Sequence, residues 1–143
     1  MNFLYELMTI AIYCCIGTAL MLLGNFLIDL IVPCHFPTEI KNGNTAVGWL
    51  SAGGFIGIGI ILRAAISTPA VAAAEESLLQ GITNSFVYFI IGVIFFILGY
   101  IIVDVINRQY KLNDEIGKGN TAAGIMVFGI FIGLAIVISG VIC

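Results

Sequence analysis

The side chains best suited to chemistry are acidic and amide groups that occur twice in the chain, in the same order. Each set consists of an aspartate, a glutamate and an adjacent Asn-Thr pair. The members are Asp29, Glu39, Asn44 and Thr45 in the first set, and Asp104, Glu115, Asn120 and Thr121 in the second. Rings of carboxylates line the mouths of cation pores, and helix N-termini bind anions. Both kinds of site are therefore candidate functions for these residues.

The same groups also have an ordinary structural interpretation. Asn is a favoured helix N-cap, because its side-chain oxygen accepts a hydrogen bond from a free backbone N–H. Asp29 and Asp104 fall near the C-terminal ends of predicted helices, where the helix dipole disfavours negative charge. The N-terminus of the next helix, or a basic loop residue, must then offset that charge. Two hypotheses stay open: local caps and pairs, or a functional polar site.

No pattern in the sequence predicts a catalytic centre, a metal or a cofactor. The one histidine, His35, is not repeated, and Cys34-His35 has no second ligand pair to complete a metal site. Cys14 and Cys15 are neighbours on a predicted helix and point apart, so a disulfide framework is not expected, and Cys143 suggests no role. A net charge of −3 gives no basic field for nucleic acid. We expect no enzyme activity and no cofactor.

The composition predicts that these groups belong to an all-α membrane protein. Charged residues make up only 9% of the chain and apolar residues 61%, whereas soluble domains carry about 25% charged residues. Four apolar segments, at about 7–32, 45–66, 83–106 and 121–143, are each near the ~20 residues that cross a bilayer. They do not alternate as barrel strands do.

The basic residues predict how the four spans are oriented. Four of the five lie in the first and third connections, at Lys41, Arg108, Lys111 and Lys118, and only Arg63 lies elsewhere. The positive-inside rule places these two connections in the cytoplasm and both termini outside it. The first span lacks the basic n-region of a cleavable signal, so we expect it to remain as a membrane span.

An internal repeat relates the two halves of the chain. Residues 39–67 align without gaps on 115–143, and 13 of these 29 positions are identical, including Glu-Ile-x-x-Gly-Asn-Thr-Ala-x-Gly. Residues 12–31 align on 87–106 at an offset one residue shorter. Each unit crosses the membrane twice, so the copies are parallel repeats related by an axis along the membrane normal. We assign the first unit to 1–67, the second to 83–143 and an external linker to 68–82.

Repeated glycines predict how the spans pack. Gly53 and Gly57 in the second span, and Gly129 and Gly133 in the fourth, form small-xxx-small motifs that allow close helix approach. We therefore expect the second and fourth spans to pack together near the axis. A close-packed centre argues against a pore within one subunit, so any conduction path is expected between subunits of a homo-oligomer.

With its four spans, duplicated unit and paired Gly-Asn-Thr-Ala motifs at 43–46 and 119–122, the chain resembles the YjfL-like bacterial inner-membrane proteins, catalogued as domain of unknown function 350. The resemblance carries over no catalytic residue, and it implies a setting in envelope stress, with partner proteins. Three hypotheses follow. The first is a small homo-oligomeric channel or transport component, and the second is a non-catalytic scaffold that recruits a cytoplasmic partner. A lipid-modifying enzyme ranks last, because no nucleophile and base stand together.

Overall fold

The protein is all-helical in a computed structural model that describes residues 2–67 and 78–142. Four long helices and two short ones follow one another along the chain. They are α1 (Phe3–Ile31), α2 (Phe36–Lys41), α3 (Thr45–Ser67), α4 (Leu78–Ile106), α5 (Leu112–Gly117) and α6 (Thr121–Ile142). The four long helices are each long and apolar enough to cross a membrane, as the sequence predicts.

The helix bounds differ from the predicted spans in two places. Helix α1 begins at Phe3 and α4 begins at Leu78, each earlier than expected. Of the linker predicted at 68–82, residues 68–77 lie outside the described residues, and the remainder forms the first turns of α4. The connections at 33–44 and 107–120 also contain α2 and α5, two short helices that the hydropathy pattern does not predict. Apolar runs identify spans, not six-residue helices at their ends.

Helix α3 is the centre of the bundle. It packs most extensively against α6, and it also contacts α4 and α1. More than half of its membrane-spanning window is buried within the chain, compared with 17% for α6. The predicted pairing of the second and fourth spans is therefore present, but the two partners are not equivalent, since α3 is enclosed and α6 lies at the edge.

The repeat is visible in the packing inside each two-helix unit. A Cβ added at Gly24 of α1 would lie 2.3 Å from Ile58 Cδ1 on α3, and one added at Gly99 of α4 would lie 2.6 Å from Leu134 Cδ1 on α6. These two glycine–aliphatic pairs are repeat equivalents. Each glycine admits the side chain of the partner helix, so both units close in the same way.

The small-residue motif of α3 packs closely. A Cβ at Gly53 would lie 2.9 Å from the Cα of Phe128 on α6, and one at Gly57 would lie 3.3 Å from the carbonyl oxygen of Phe131. Backbone atoms cannot move aside as a flexible side-chain tip can. Gly53 therefore sets the distance between α3 and α6, and Gly57, where a Cβ would lie 2.5 Å from Phe96 Cζ of α4, lies against both neighbouring helices.

The corresponding prediction for α6 is wrong. Gly129 and Gly133 are exposed, and no atom lies within 4 Å of a Cβ added at either. The buried stripe of α6 runs instead through Val127 and Phe131, and a residue two positions further on points about 200° away on a helix. The close approach on this side is made by Gly124, where a Cβ would lie 2.5 Å from the carbonyl oxygen of Ala46.

Candidate functional site

The repeated polar residues meet at one end of the bundle, formed by α2, α5 and the N-termini of α3 and α6; we call it the polar end. In the first unit Asn44 precedes α3 and acts as its N-cap. Its Oδ1 accepts a hydrogen bond of 3.1 Å from the backbone N–H of Val47, and its Nδ2 donates to Glu39 Oε2 at 2.8 Å. The same Nδ2 also donates to the carbonyl oxygen of Ile116 at 2.9 Å, which ties the first unit to the second.

The second unit repeats the cap with two differences. The oxygen of Asn120 accepts from the second residue after it, whereas that of Asn44 accepts from the third. Asn120 Oδ1 accepts a hydrogen bond of 3.1 Å from the backbone N–H of Ala122, and its Nδ2 donates to Glu115 Oε2 at 2.7 Å. Among the bonds recorded for the described residues, Asn120 has no counterpart to the bond that joins Asn44 to Ile116. The two amides therefore share a local role, and only Asn44 also bridges the units.

The rest of the repeated motif forms the turn before each cap. Gly43 and Gly119 have φ angles of +79° and +82°, a left-handed conformation that suits glycine. These turns let the backbone N–H of Asn44 donate to the carbonyl of Glu39, and that of Asn120 donate to the carbonyl of Glu115, both at 2.9 Å. The Glu-Ile-x-x-Gly-Asn pattern is thus a short helix that ends in a glycine turn and leads directly into a capped span.

The pseudo-twofold axis passes between two threonines. The hydroxyl oxygens of Thr45 and Thr121 lie 2.5 Å apart, and the two residues are repeat equivalents. Contact between equivalent residues is the mark of a twofold axis. The N-termini of α3 and α6 are therefore adjacent, as an anion site requires. However, their amides are capped by Asn44 and Asn120, and carboxylates stand beside them, so negative charge is disfavoured there.

The negative charge of Asp29 is offset by the N-terminus of the next helix, one of the two possibilities that the sequence offers. Its Oδ1 accepts a 2.8 Å hydrogen bond from the backbone N–H of Phe36, at the first position of α2. Its Oδ2 lies 3.2 Å from His35 Nδ1. A carboxylate at a helix N-terminus is favourable, so Asp29 holds α2 against the end of α1.

Asp104 joins the end of α4 to α5, as Asp29 joins the end of α1 to α2, but through different partners. Its Oδ2 accepts a hydrogen bond of 3.2 Å from Asn113 Nδ2 on α5, and Asn113 Oδ1 in turn accepts from the hydroxyl of Tyr100. Sequence reasoning missed both of these residues. The repeat aligns Asn113 with Pro37 and Tyr100 with Asn25, so a search for matching residues passes over them. The sequence does contain one signal, because Tyr100 and Asn113, two positions at which the repeats differ, lie on either side of the same repeated aspartate, Asp104.

Cys34 is a partly buried thiol beside these carboxylates. Burial, together with the negative charges of Glu39 and Asp29, raises the pKa of Cys34 to about 11. A thiol that resists ionisation is a poor nucleophile and a poor metal ligand. Residues 2–67 and 78–142 contain no group of three or more potential metal-ligating side chains.

The exposed charges at the polar end are mainly basic. Lys41, Arg108 and Lys111 are exposed, and none of them forms an ion pair within the described part of the chain. Lys118 Nζ lies 3.5 Å from Glu115 Oε1. The hydrogen bond from Asn120, with a smaller contribution from Lys118, holds the pKa of Glu115 below its ordinary value. The four repeated carboxylates thus stabilise local structure, while the lysine and arginine side chains and one further carboxylate, Asp114, are exposed.

Comparison with known proteins gives the same architecture. The sequence model of a family described as Domain of Unknown Function (DUF350) matches twice, over residues 2–76 and 77–143. The UPF0719 transmembrane protein YshE of Bacillus subtilis (strain 168) is 28% identical over 94% of this chain and 92% of its own length. A UPF0719 transmembrane protein of Aquifex aeolicus (strain VF5) is 20% identical over 95% of this chain and 50% of its own length. No solved structure matches.

The predicted resemblance is confirmed by these matches, which extend over both units and both capping motifs. The chain is a multi-pass integral membrane protein that belongs to the DUF350 family and carries two tandem copies of its domain.

Proposed function

We propose that this protein is a non-catalytic, homo-oligomeric scaffold of the bacterial inner membrane, and that its cytoplasmic face recruits an acidic segment of a partner protein. The observation that carries the proposal is the division of charge at the polar end. All four repeated carboxylates accept hydrogen bonds from their own unit, whereas Lys41, Arg108 and Lys111 are exposed and without ion pairs among the described residues.

Rigidity supports a docking role. Asp29 and Asp104 tie α2 and α5 to the ends of the spans. The basic side chains therefore project from a platform, formed by α2, α5 and the connection before α5. This platform need not become ordered on binding, which lowers the entropic cost of association. Ile40 and Tyr110 are exposed on the same platform, at 50% and 39%. An apolar or aromatic side chain beside a cation is typical of the residues that dominate interfaces.

Crosslinking in native membranes tests the scaffold. A photoreactive amino acid at Ile40 or Tyr110 is expected to give a discrete adduct with a cytoplasmic protein. Reversing the charge in a Lys41→Glu/Lys111→Glu variant should abolish that adduct while the protein still inserts. Adducts with lipid alone, or a protein adduct that persists after charge reversal, would contradict the proposal.

Self-association is supported by the exposed face of α6. Gly129 and Gly133 repeat Gly53 and Gly57, which hold a neighbouring helix in α3, yet no atom of the described chain lies over them. A second copy is the occupant we assign to this face, because Gly53, the repeat equivalent of Gly129, lies against the backbone of another long apolar helix. Energy transfer between labelled copies in lipid should fall for Gly133→Leu, and unchanged transfer would remove this part of the proposal.

A second candidate function is a small homo-oligomeric channel or transport component. It is supported by Asn25 Oδ1 and Ser51 Oγ, two buried polar atoms with no hydrogen-bond partner among the described residues. Both lie on the membrane side of the polar end, about 6–9 Å below Asp29 and Thr45 along their helices. Ion flux into liposomes that is lost in Asp29→Asn/Asp104→Asn and in Ser51→Val would favour transport, and no flux in any of these proteins would exclude it.

A further inference from the structure

A groove between α1 and α3 lies at the end of the bundle opposite the polar end. Its volume is about 410 Å³, and its walls are mostly small and apolar side chains. Each wall of the groove contains a glycine, Gly17 on α1 and Gly59 on α3, and the packing around both is loose. A Cβ at Gly17 would meet only Leu62, at 3.9 Å, and one at Gly59 would meet only Met21 Sδ, at 3.7 Å.

The groove runs along the bundle from the membrane boundary into the hydrocarbon. Arg63 is 18 residues beyond Thr45 on α3, which places it about 27 Å from the polar end at 1.5 Å per residue. That distance is close to the ~30 Å thickness of a bilayer core, so Arg63 stands at the far boundary. Met21 and Gly59, at the other end of the groove, lie about 6–12 Å deeper.

Arg63 carries the only formal charge on the wall of this groove. It is exposed, and it forms no ion pair within 2–67 and 78–142. On its other side it lines a smaller cavity of about 150 Å³ together with Ser67 and Ser139. A guanidinium matches a phosphate with paired N–H donors, and neighbouring hydroxyls add further donors.

We propose that this groove is a binding site for one anionic phospholipid, with an acyl chain between Gly17 and Gly59 and the phosphate on Arg63. The apolar walls select a hydrocarbon chain, and the cation at the boundary, which has no ion pair among the described residues, selects a negative headgroup. A narrow groove that starts at the headgroup level and continues into the bilayer fits both parts of one lipid. This site is at the other end of the bundle from the proposed scaffold face and does not depend on it.

Native mass spectrometry of the full chain released from nanodiscs tests the site. In discs of mixed phosphatidylglycerol and phosphatidylcholine, the wild-type chain should retain one phosphatidylglycerol per copy. Arg63→Gln should reduce that retention roughly tenfold, the effect of losing one charge-assisted contact. Inorganic phosphate added to the lipid-free protein should leave no adduct, because the acyl chain is then missing.

Matched leucine substitutions separate the groove from general lipid contact. Gly59→Leu fills the groove and should lose the bound lipid although Arg63 is intact. Gly140→Leu is the control, since Gly140 is exposed on α6, level with Arg63, and has nothing within 4 Å. The proposal is overturned if Arg63→Gln or Gly59→Leu retains the lipid as the wild type does. It is equally overturned if phosphatidylglycerol and phosphatidylcholine are retained alike. A second copy of the chain that occupies the groove and covers Cys14 on its wall would also overturn it.

Discussion

The inter-unit hydrogen bond of Asn44 gives a quantitative prediction with an internal control. Asn44→Ala and Asn120→Ala remove repeat-equivalent caps and repeat-equivalent bonds to a glutamate, and the lost cap should cost each variant about 1 kcal/mol. Only Asn44 also donates to the carbonyl oxygen of Ile116, a residue that is fully buried.

The size of the difference follows from what else satisfies that carbonyl. The Ile116 oxygen also accepts from the backbone N–H of Gly119 at 3.1 Å. Losing the Asn44 amide therefore leaves it partly paired, and the penalty belongs at the low end of the ~1–3 kcal/mol range for a buried group that loses a partner. We expect the free energy of unfolding to fall by about 2 kcal/mol for Asn44→Ala and by about 1 kcal/mol for Asn120→Ala.

Unfolding by SDS in mixed micelles, followed by circular dichroism, measures both changes. A serine at each position keeps a capping oxygen, removes the amide donor and adds no charge beside the glutamates, so Asn44→Ser and Asn120→Ser remove the donation while the cap remains. The gap between the two positions should persist in this second pair. Equal losses for the two alanine variants, or a larger loss for Asn120→Ala, would refute the inference that Asn44 joins the units.

Two further predictions rest on close packing and on the Cys34 environment. Gly124→Ala should lower the free energy of unfolding by about 1–3 kcal/mol through a clash with the Ala46 backbone. Gly48→Ala, at the repeat-equivalent position in open space, should be neutral or stabilise by up to about 1 kcal/mol. Equal effects of the two substitutions in the same assay would contradict this. With the other cysteines replaced by alanine, maleimide labelling of Cys34 should still rise about tenfold per pH unit between about pH 7 and about pH 9, and Glu39→Gln should speed it at about pH 8. A labelling rate that levels off below pH 9 would show that burial does not hold the thiol neutral.

Most of the fold is predictable from the sequence, for a physical reason. A bilayer imposes a length and an apolar character on every span, and matched Asn, Thr, Asp and Glu are rare enough in so apolar a chain to reveal the duplication. Helices α2 and α5 escape this reasoning because they lie outside the hydrocarbon. Their formation depends on tertiary contacts, such as the bond from Phe36 to Asp29, which sequence spacing alone does not reveal.

The candidate site is only half predictable, and the division follows the symmetry. Asn44, Asn120 and the repeated carboxylates stand out because both copies need the same cap. Tyr100 and Asn113 do not stand out, because they serve one copy only. The prediction for the glycines of α6 fails for the same reason. Gly53 on α3 lies against α6, whereas no helix of the described chain lies against Gly129, its repeat equivalent.

The duplication also explains why the two ends of the bundle differ. At the polar end both units meet at Thr45 and Thr121, so the caps on α3 and α6 are equivalent, although the bond from Asn44 to Ile116 is made by one unit only. At the opposite end α4 packs on α3, with Gly92 against Ile61, while α1 and α6 make at most marginal contact within the described helices. A dimer of identical two-helix units repeats every contact, whereas a fused pair can vary one copy. The α1–α3 groove and the exposed α6 face therefore occur once per chain, and ligands held at a ratio of one per chain are expected there, away from the symmetric polar end.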